Sequence, residues 1–452
     1  MARVRGRGRL AALVANASGS GMRGAYKWYV LAILVLIYAI GSVDMAVISV
    51  IAEPLKQEFH LSDKQIGVLS GMAYSLTYAV AVLPSGWLID RKERRSLLSC
   101  TVAIWSVLTT ICATSSSFAI LLFTRLGVGA AEAPTTPGSL SLIADLFPKE
   151  RRNTVVSLYF TGNAIGQIAM FLVGGWLLVH YSWRVVFLVA GGPGIVCAAL
   201  LYFTTKEPVR GAFDDAPPSP GEERESIQAT AAHTARAMLR NVPLLYAIPA
   251  ITIGGGVAFS VTVWATSFLV RLHHVTVSQG AIATGIGWGV CVAIGTLLVG
   301  PLADRFSRGD PRKQAIIPAV TTLIATLAGI TMLLASSLVV TLAAMSVVAL
   351  MTGFFYSTGY AITLSLARPT ERGTTMAATK LISTLFGSGF IPFVTGAISD
   401  HVGGATSIKT ALLITIVLLL AATACWIKIY QLLSTKQPDN SMFFTDMVPE
   451  QS

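Results

Sequence analysis

Runs of twenty or more apolar residues recur along the whole chain, and they constrain it more than any other feature. A run of that length spans the hydrocarbon core of a bilayer as a helix. Twelve can be placed, at approximately 27–51, 65–89, 96–114, 118–145, 153–180, 184–204, 244–270, 278–303, 314–335, 338–366, 374–400 and 407–431. Several exceed twenty residues, so tilted or kinked helices are expected. Only 12% of residues are charged against 54% hydrophobic, about half the charge of a soluble domain. A soluble enzyme is excluded, and the expected class is an all-α polytopic membrane protein with twelve transmembrane helices.

The excess of positive charge, +11 overall, is read from its position. With the twelve spans in place and span-end residues counted with the adjoining loop, 26 of the 33 Lys and Arg fall on the side shared by both termini, 5 on the other side and 2 deep inside spans. This is the positive-inside pattern, not a nucleic-acid-binding face, and it predicts cytoplasmic termini in the cell inner (plasma) membrane. The five cysteines, Cys100, Cys112, Cys197, Cys291 and Cys425, lie inside apolar runs with no CxxC spacing and read as small core residues. The first 26 residues carry Arg3, Arg5, Arg7 and Arg9 before a short apolar stretch that falls short of a signal peptide. A disordered basic tail is expected, with Met22 a second candidate start.

The longest connection, 205–243, holds a Pro-rich acidic stretch from Asp214 to Glu225 that cannot form a core. It separates bundles at 27–204 and 244–433, leaving a tail at 434–452; a short surface helix is expected over 229–240. The phrase Gly86-Trp-Leu-Ile-Asp90-Arg91 recurs 214 residues later as Gly300-Pro-Leu-Ala-Asp304-Arg305, at the equivalent turn of the second half. Two pseudo-symmetric six-helix halves are the signature of an alternating-access carrier.

These phrases and the 6+6 layout resemble the major facilitator superfamily (MFS) across the whole chain. Within it the first half resembles the spinster-like group, through Asp44, Arg125-Leu-Gly-Val-Gly-Ala-Ala-Glu132-Ala, Ile143-Ala-Asp-Leu-Phe147 and Lys206-Glu-Pro-Val-Arg-Gly211; Gly396-Ala-Ile-Ser-Asp400 is the second-half phrase. The resemblance implies that spans one and four sit side by side on a central cavity. It also implies a cytoplasmic gate lock at Asp90, Arg91, Arg94, Asp304 and Arg305, able to bond the neighbouring half's helix ends. One departure matters: the group's Asp is usually followed by Arg, and here Met45 follows Asp44.

Charges at membrane depth cost several kcal/mol, roughly 2.5–3.5 on translocon scales, and so mark function by default. There are four, Asp44, Arg125, Glu132 and Lys380. Asp44 and Arg125 lie roughly 12–13 Å from the same membrane surface on their helices. Arg125, Gly129 and Glu132 share one helix face, with about 10 Å of rise between the two charges. Arg125 is therefore expected as a counter-ion or switch shared by Asp44 and Glu132, the two carboxylates carrying proton coupling; a static buried ion pair is the alternative. Pro134 and Pro137 remove backbone donors just beyond Glu132 and should open a polar site there. Lys380 either snorkels outward or contacts an anionic headgroup.

For the substrate, the deep amides are Asn163 and Gln167, and Phe259, Trp264, Phe268, Phe354, Phe355, Tyr356 and Tyr360 can supply an aromatic wall. Too few amides and acids are present to hold a sugar. An amphiphilic substrate, lipid-like (a lysolipid or sphingoid, as the resemblance implies) or a hydrophobic organic anion, fits better. A drug exporter and an organic-acid:proton symporter remain open as alternatives, and an intramembrane enzyme is a distant one. No nucleophile with a base, P-loop, H-E-x-x-H or dinucleotide fingerprint is found, so neither enzyme activity, cofactor nor metal is expected. The partners expected are substrate, protons and membrane lipid, around a monomer that binds no nucleic acid.

Overall fold

A computed structural model describes residues 3–210, 238–307, 310–367, 372–404 and 406–435. Twelve helical rods account for almost all of them. In chain order they are α1 (Arg3–Phe59), α2 (63–91), α3 (Arg94–Cys112), α4 (118–146), α5 (Lys149–His180), α6 (Trp183–Thr204), α7 (Val242–His273), α8 (277–307), α9 (Pro311–Leu334), α10 (Leu338–Leu366), α11 (372–402) and α12 (407–435). The backbone of α1 is helical back to Arg3, where a disordered tail was expected; its Arg, Ala and Leu are good helix formers running directly into the span. The linker from 211 to 237, most of the expected surface helix and the tail beyond Thr435 lie outside the described residues.

Eleven of the rods are long and apolar enough to cross a membrane on their own. The twelfth, α4, is broken into Phe118–Glu132 and Thr135–Leu146. Pro134 cannot donate to the ladder, so the first piece ends beside Glu132, and the second starts where Pro137 falls in a first turn that needs no donor from it. The two prolines expected to remove backbone donors beside Glu132 thus break the rod, which leaves an acidic side chain at a helix end inside the bundle.

The internal repeat extends beyond the duplicated phrase, at the same offset of 214 residues. α1 and α7 are each followed by a histidine in the left-handed region, His60 (φ 52°) and His274 (φ 53°). α2 and α8 each open with a capping box, Ser62 with Gln65 and Thr276 with Gln279, in which side chain and backbone satisfy each other. Both then pass through a π turn, Val68–Met72 and Gly285–Val290, the second starting three residues later in register than the repeat offset, a local widening often found where a helix bends for function.

The halves meet along three seams, α1 with α7, α2 with α11 and α5 with α8. Glycines set the approach: a β-carbon on Gly71 (α2) would stand 2.5 Å from the Ser388 carbonyl of α11, and one on Gly285 (α8) 2.8 Å from Phe171 of α5. On the face away from the termini one continuous apolar core joins the halves, running from Val47, Ile51 and Leu69 to Val261, Phe268 and Ile408. Toward the termini the core divides, into a first-half cluster around Leu34, Trp105 and Leu201 and a second-half cluster around Ile251, Ile362 and Trp426. The molecule is therefore closed on the far face and parted on the terminal face.

Candidate functional site

Asp44 and Arg125 meet in the interior of the first half. Arg125 Nη1 donates to both carboxylate oxygens of Asp44 at 2.9 Å and Nη2 to the Asp44 carbonyl at 3.2 Å. Thr109 of α3 donates to the same carboxylate at 2.6 Å, which ties three helices to one anion. Asp44 is 0% exposed and Arg125 1%; such a pair holds only when its hydrogen bonds are nearly complete. One donor is left over, Arg125 Nε, which is buried without an acceptor. Met45, in the place of the group's arginine, packs against the apolar cluster of the first half.

Glu132 does not share this cation, which corrects the expected arrangement. Gly129 brings α4 so close to α2 that a β-carbon on it would stand 2.4 Å from the Tyr74 carbonyl. The last turn of this piece then carries Glu132 to α1 and α2, where Gly41 makes room: a β-carbon there would lie 2.6 Å from Glu132 Oε1. The carboxyl faces the Tyr74 hydroxyl, with Tyr38 and Tyr78 also nearby. Tyr74 and Tyr78 stack at 5.6 Å, and Tyr38 lies 4.7 Å from Tyr159. Glu132 Oε2 is buried with no hydrogen-bond partner. These tyrosines, Thr109 and Gly41 were missed at the sequence level. Only the spacing of Tyr74 and Tyr78, one turn apart in span two, hinted at them.

The expected substrate wall is redistributed. Trp264 is fully buried and donates from Nε1 to the Pro392 carbonyl at 3.3 Å; Phe355 is buried against Gly254 and Trp426. Both are packing residues between second-half helices: Gly254 of α7 leaves room for the Phe355 ring, and Trp264 seals α7 against α11. Tyr356 is half-buried, its hydroxyl donating to the Gly255 carbonyl, and Tyr360 is half-buried too. Asn163 donates to the Ser42 hydroxyl at 3.0 Å and accepts from Gln167 at 3.1 Å, so the two amides are spent largely on joining α5 to α1. Lys380 is exposed. Of the cysteines, Cys112 and Cys197 are buried as expected, whereas Cys100 is exposed, its turn of α3 facing away from the bundle.

At the terminal face the motif arginines turn into their own half, contrary to the expected lock on the other one. Arg94 is buried and bonds Asp145 of α4 at 2.5 Å, Glu207 at 2.6 Å and Ser141 at 2.9 Å. Arg95 donates to the Thr205 carbonyl, and Arg210 donates to the carbonyls of Ile89 and Lys92 at the end of α2. Arg91 lies 4.5 Å over the Trp87 ring, and Arg305 is exposed. The side chains of Asp90 and Asp304 lie outside the described residues. The physical reason is the parted terminal face: with the other half withdrawn, the strap at 205–210 offers the nearest acceptors.

Fold, repeat and buried charges can now be set against known proteins. A family model for the Major Facilitator Superfamily matches residues 34–392 and 275–442. The chain belongs to the Major Facilitator Superfamily. This superfamily member is 27% identical over 395 residues to an MFS-type efflux pump of Mycolicibacterium smegmatis, covering 86% of this chain and 88% of that protein. It is 24% identical over 397 residues to Protein spinster homolog 1 of Xenopus tropicalis, covering 84% and 74%. Among solved structures it resembles a bacterial homologue of the human lysosomal transporter Spinster in an inward-facing, unoccupied conformation, with a TM-score of 0.81 at 28% identity over 90% of this chain and 98% of that one. The superfamily member is a multi-pass membrane transporter of the spinster-like group, not an enzyme.

Proposed function

We propose that this transporter is proton-coupled and moves an amphiphilic, lipid-like substrate by alternating access, with Glu132 and Asp44 as the coupling carboxylates and Arg125 as the counter-ion that responds to them. The observation that carries this reading is the unequal provision for the two acids. Asp44 takes two guanidinium bonds and a hydroxyl, whereas Glu132 Oε2 is buried with none. A charge held that way costs several kcal/mol, and a proton removes the cost. Arg125 keeps Nε free, a donor available to a second acid if the helices shift. The tyrosines around Glu132, with Tyr360 of the second half near Tyr38 and an exposed Lys380 on α11, suit a substrate with an apolar body and a polar or anionic head. Both termini are assigned to the cytoplasm and the carrier to the plasma membrane, on the charge asymmetry of the loops. The likeness to an efflux pump keeps a drug exporter as the second reading.

Two measurements test it. In proteoliposomes Glu132→Gln should lose uptake driven by a pH gradient while substrate exchange remains detectable; wild-type pH-driven transport in both Glu132→Gln and Asp44→Asn would falsify the coupling. Thermal stabilisation of the purified protein across lysolipids, sphingoid bases, hydrophobic drugs and organic acids separates the substrate readings. Stabilisation by drugs alone favours the exporter.

A further inference from the structure

We infer that Arg271, Asp63 and Asp400 form the latch that holds the far face closed, binding the halves through two contacts of opposite polarity. Arg271, at the end of α7, donates from Nη1 and Nη2 to the two carboxylate oxygens of Asp63 at 2.8 Å each, and from Nε to Glu53 of α1 at 2.8 Å. A second-half cation thus holds two first-half anions. In return a second-half anion holds first-half donors: Asp400 of α11 accepts from the backbone N–H of Asp63 at 2.8 Å and of Lys64 at 2.7 Å. Ser399 donates to Asp63 at 2.6 Å, and Lys56 pairs with Asp63 from its own half.

The division of labour at the start of α2 separates a latch from a folding contact. The capping box already satisfies the amides of Ser62 and Gln65 from within the segment. What it leaves over are the amides of Asp63 and Lys64, the two that Asp400 takes. α2 therefore keeps its own cap when the halves part, and the bonds from Asp400 are free to break and form with the transport cycle. The contacts are state-dependent by position, since they lie beside the glycine approaches of α2 to α11, where a β-carbon on Gly67 would stand 2.8 Å from the Pro392 carbonyl and one on Gly396 2.4 Å from the Asp63 carbonyl. The cluster also breaks the 214-residue repeat: the positions equivalent to Asp63 and Arg271 are Val277 and Gln57, so the α5–α8 seam has no such ion pair at this point. Planar, bidentate pairing of this kind gives the closed state a preferred register as well as energy.

The test is a distance measurement on substrate-free protein in nanodiscs, with spin labels at Ser116→Cys and Ser336→Cys, exposed far-face loop positions in opposite halves, and the native cysteines replaced by alanine. The wild-type background should show mainly the short, closed distance. Arg271→Gln should raise the ratio of open to closed by about tenfold or more, Asp400→Asn by less, and Arg271→Lys should fall between Arg271→Gln and wild type, since it keeps charge but loses the bidentate fork. Melting temperature and gel filtration accompany each variant. Wild-type distances in both Arg271→Gln and Asp400→Asn overturn the inference, as does a loss of thermal stability with no growth of the long distance. Neither substrate nor pH gradient enters, so the proposed coupling can fail without affecting this result, and the reverse.

Discussion

At the scale of single residues the buried Arg125–Asp44 pair dominates, because each partner makes the other tolerable. Removing one leaves an uncompensated charge in a low-dielectric interior, a loss of about 3–5 kcal/mol. Arg125→Ala should therefore lower the melting temperature and abolish coupled transport, whereas Arg125→Ala with Asp44→Asn should recover part of the stability but none of the coupling. A double mutant no more stable than the single would mean that packing, not charge, dominates the effect; the cycle separates the two. Glu132 belongs to a different category. Its carboxyl is not held by a cation but accommodated by an absence, the missing side chain at Gly41. Gly41→Ala should displace it and impair pH-driven transport without the full destabilisation of Arg125→Ala, read by proteoliposome uptake beside a thermal melt.

At the scale of elements, glycine decides which helix pairs are permanent and which are only visited. Gly166 of α5 is permanent: a β-carbon there would lie 2.0 Å from the Ala39 carbonyl of α1, within the first half. Gly166→Val should destabilise the protein by about 1–3 kcal/mol or more through overpacking, seen as a lowered melting temperature. The duplicated-phrase glycines behave oppositely, since nothing lies within 4 Å of a β-carbon on Gly86 or Gly300 in this conformation. Gly86→Val should leave the melting temperature within error of wild type. If the terminal ends of the halves pack together in the opposite state, it should nevertheless slow transport several-fold, and full transport activity would show that the phrase never meets the other half.

The molecule as a whole is two six-helix bodies fastened at one face. The far face carries the shared core, the glycine seams and the ionic cluster, while the terminal face carries separate cores and a strap, 205–210, that braces α2 and α3 of the first body. Such a body can rock without internal rearrangement, because the motif arginines are satisfied within it. With the termini in the cytoplasm, as proposed from loop charge, this conformation would be the inward-open state. In intact cells, cysteines at Lys92 and Phe306 should resist an impermeant maleimide while those at Ser116 and Ser336 react readily; the reverse pattern would invert the topology.

Sequence alone determined the class of molecule, since length and apolarity of a run are local properties and a bilayer reads them locally. It pointed to the duplicated halves, to prolines that disturb α4 beside Glu132 and to a matching level of Asp44 and Arg125 along their helices for the same reason: helical rise converts residue number into position. It did not determine partners. The face of α4 that carries Arg125 and Glu132 was legible, but whether one arginine serves two acids depends on how near α1 and α2 come, and Gly41 and Gly129 set that across the bundle. Trp264 and Phe355 read equally well as cavity wall or packing until Gly254 of α7 was placed against the Phe355 ring and the Pro392 carbonyl against the Trp264 indole. The direction of Arg94 and the joining of Asp63, Arg271 and Asp400 were out of reach for a further reason: they depend on which of two arrangements of the halves is occupied, and a carrier's sequence must encode both.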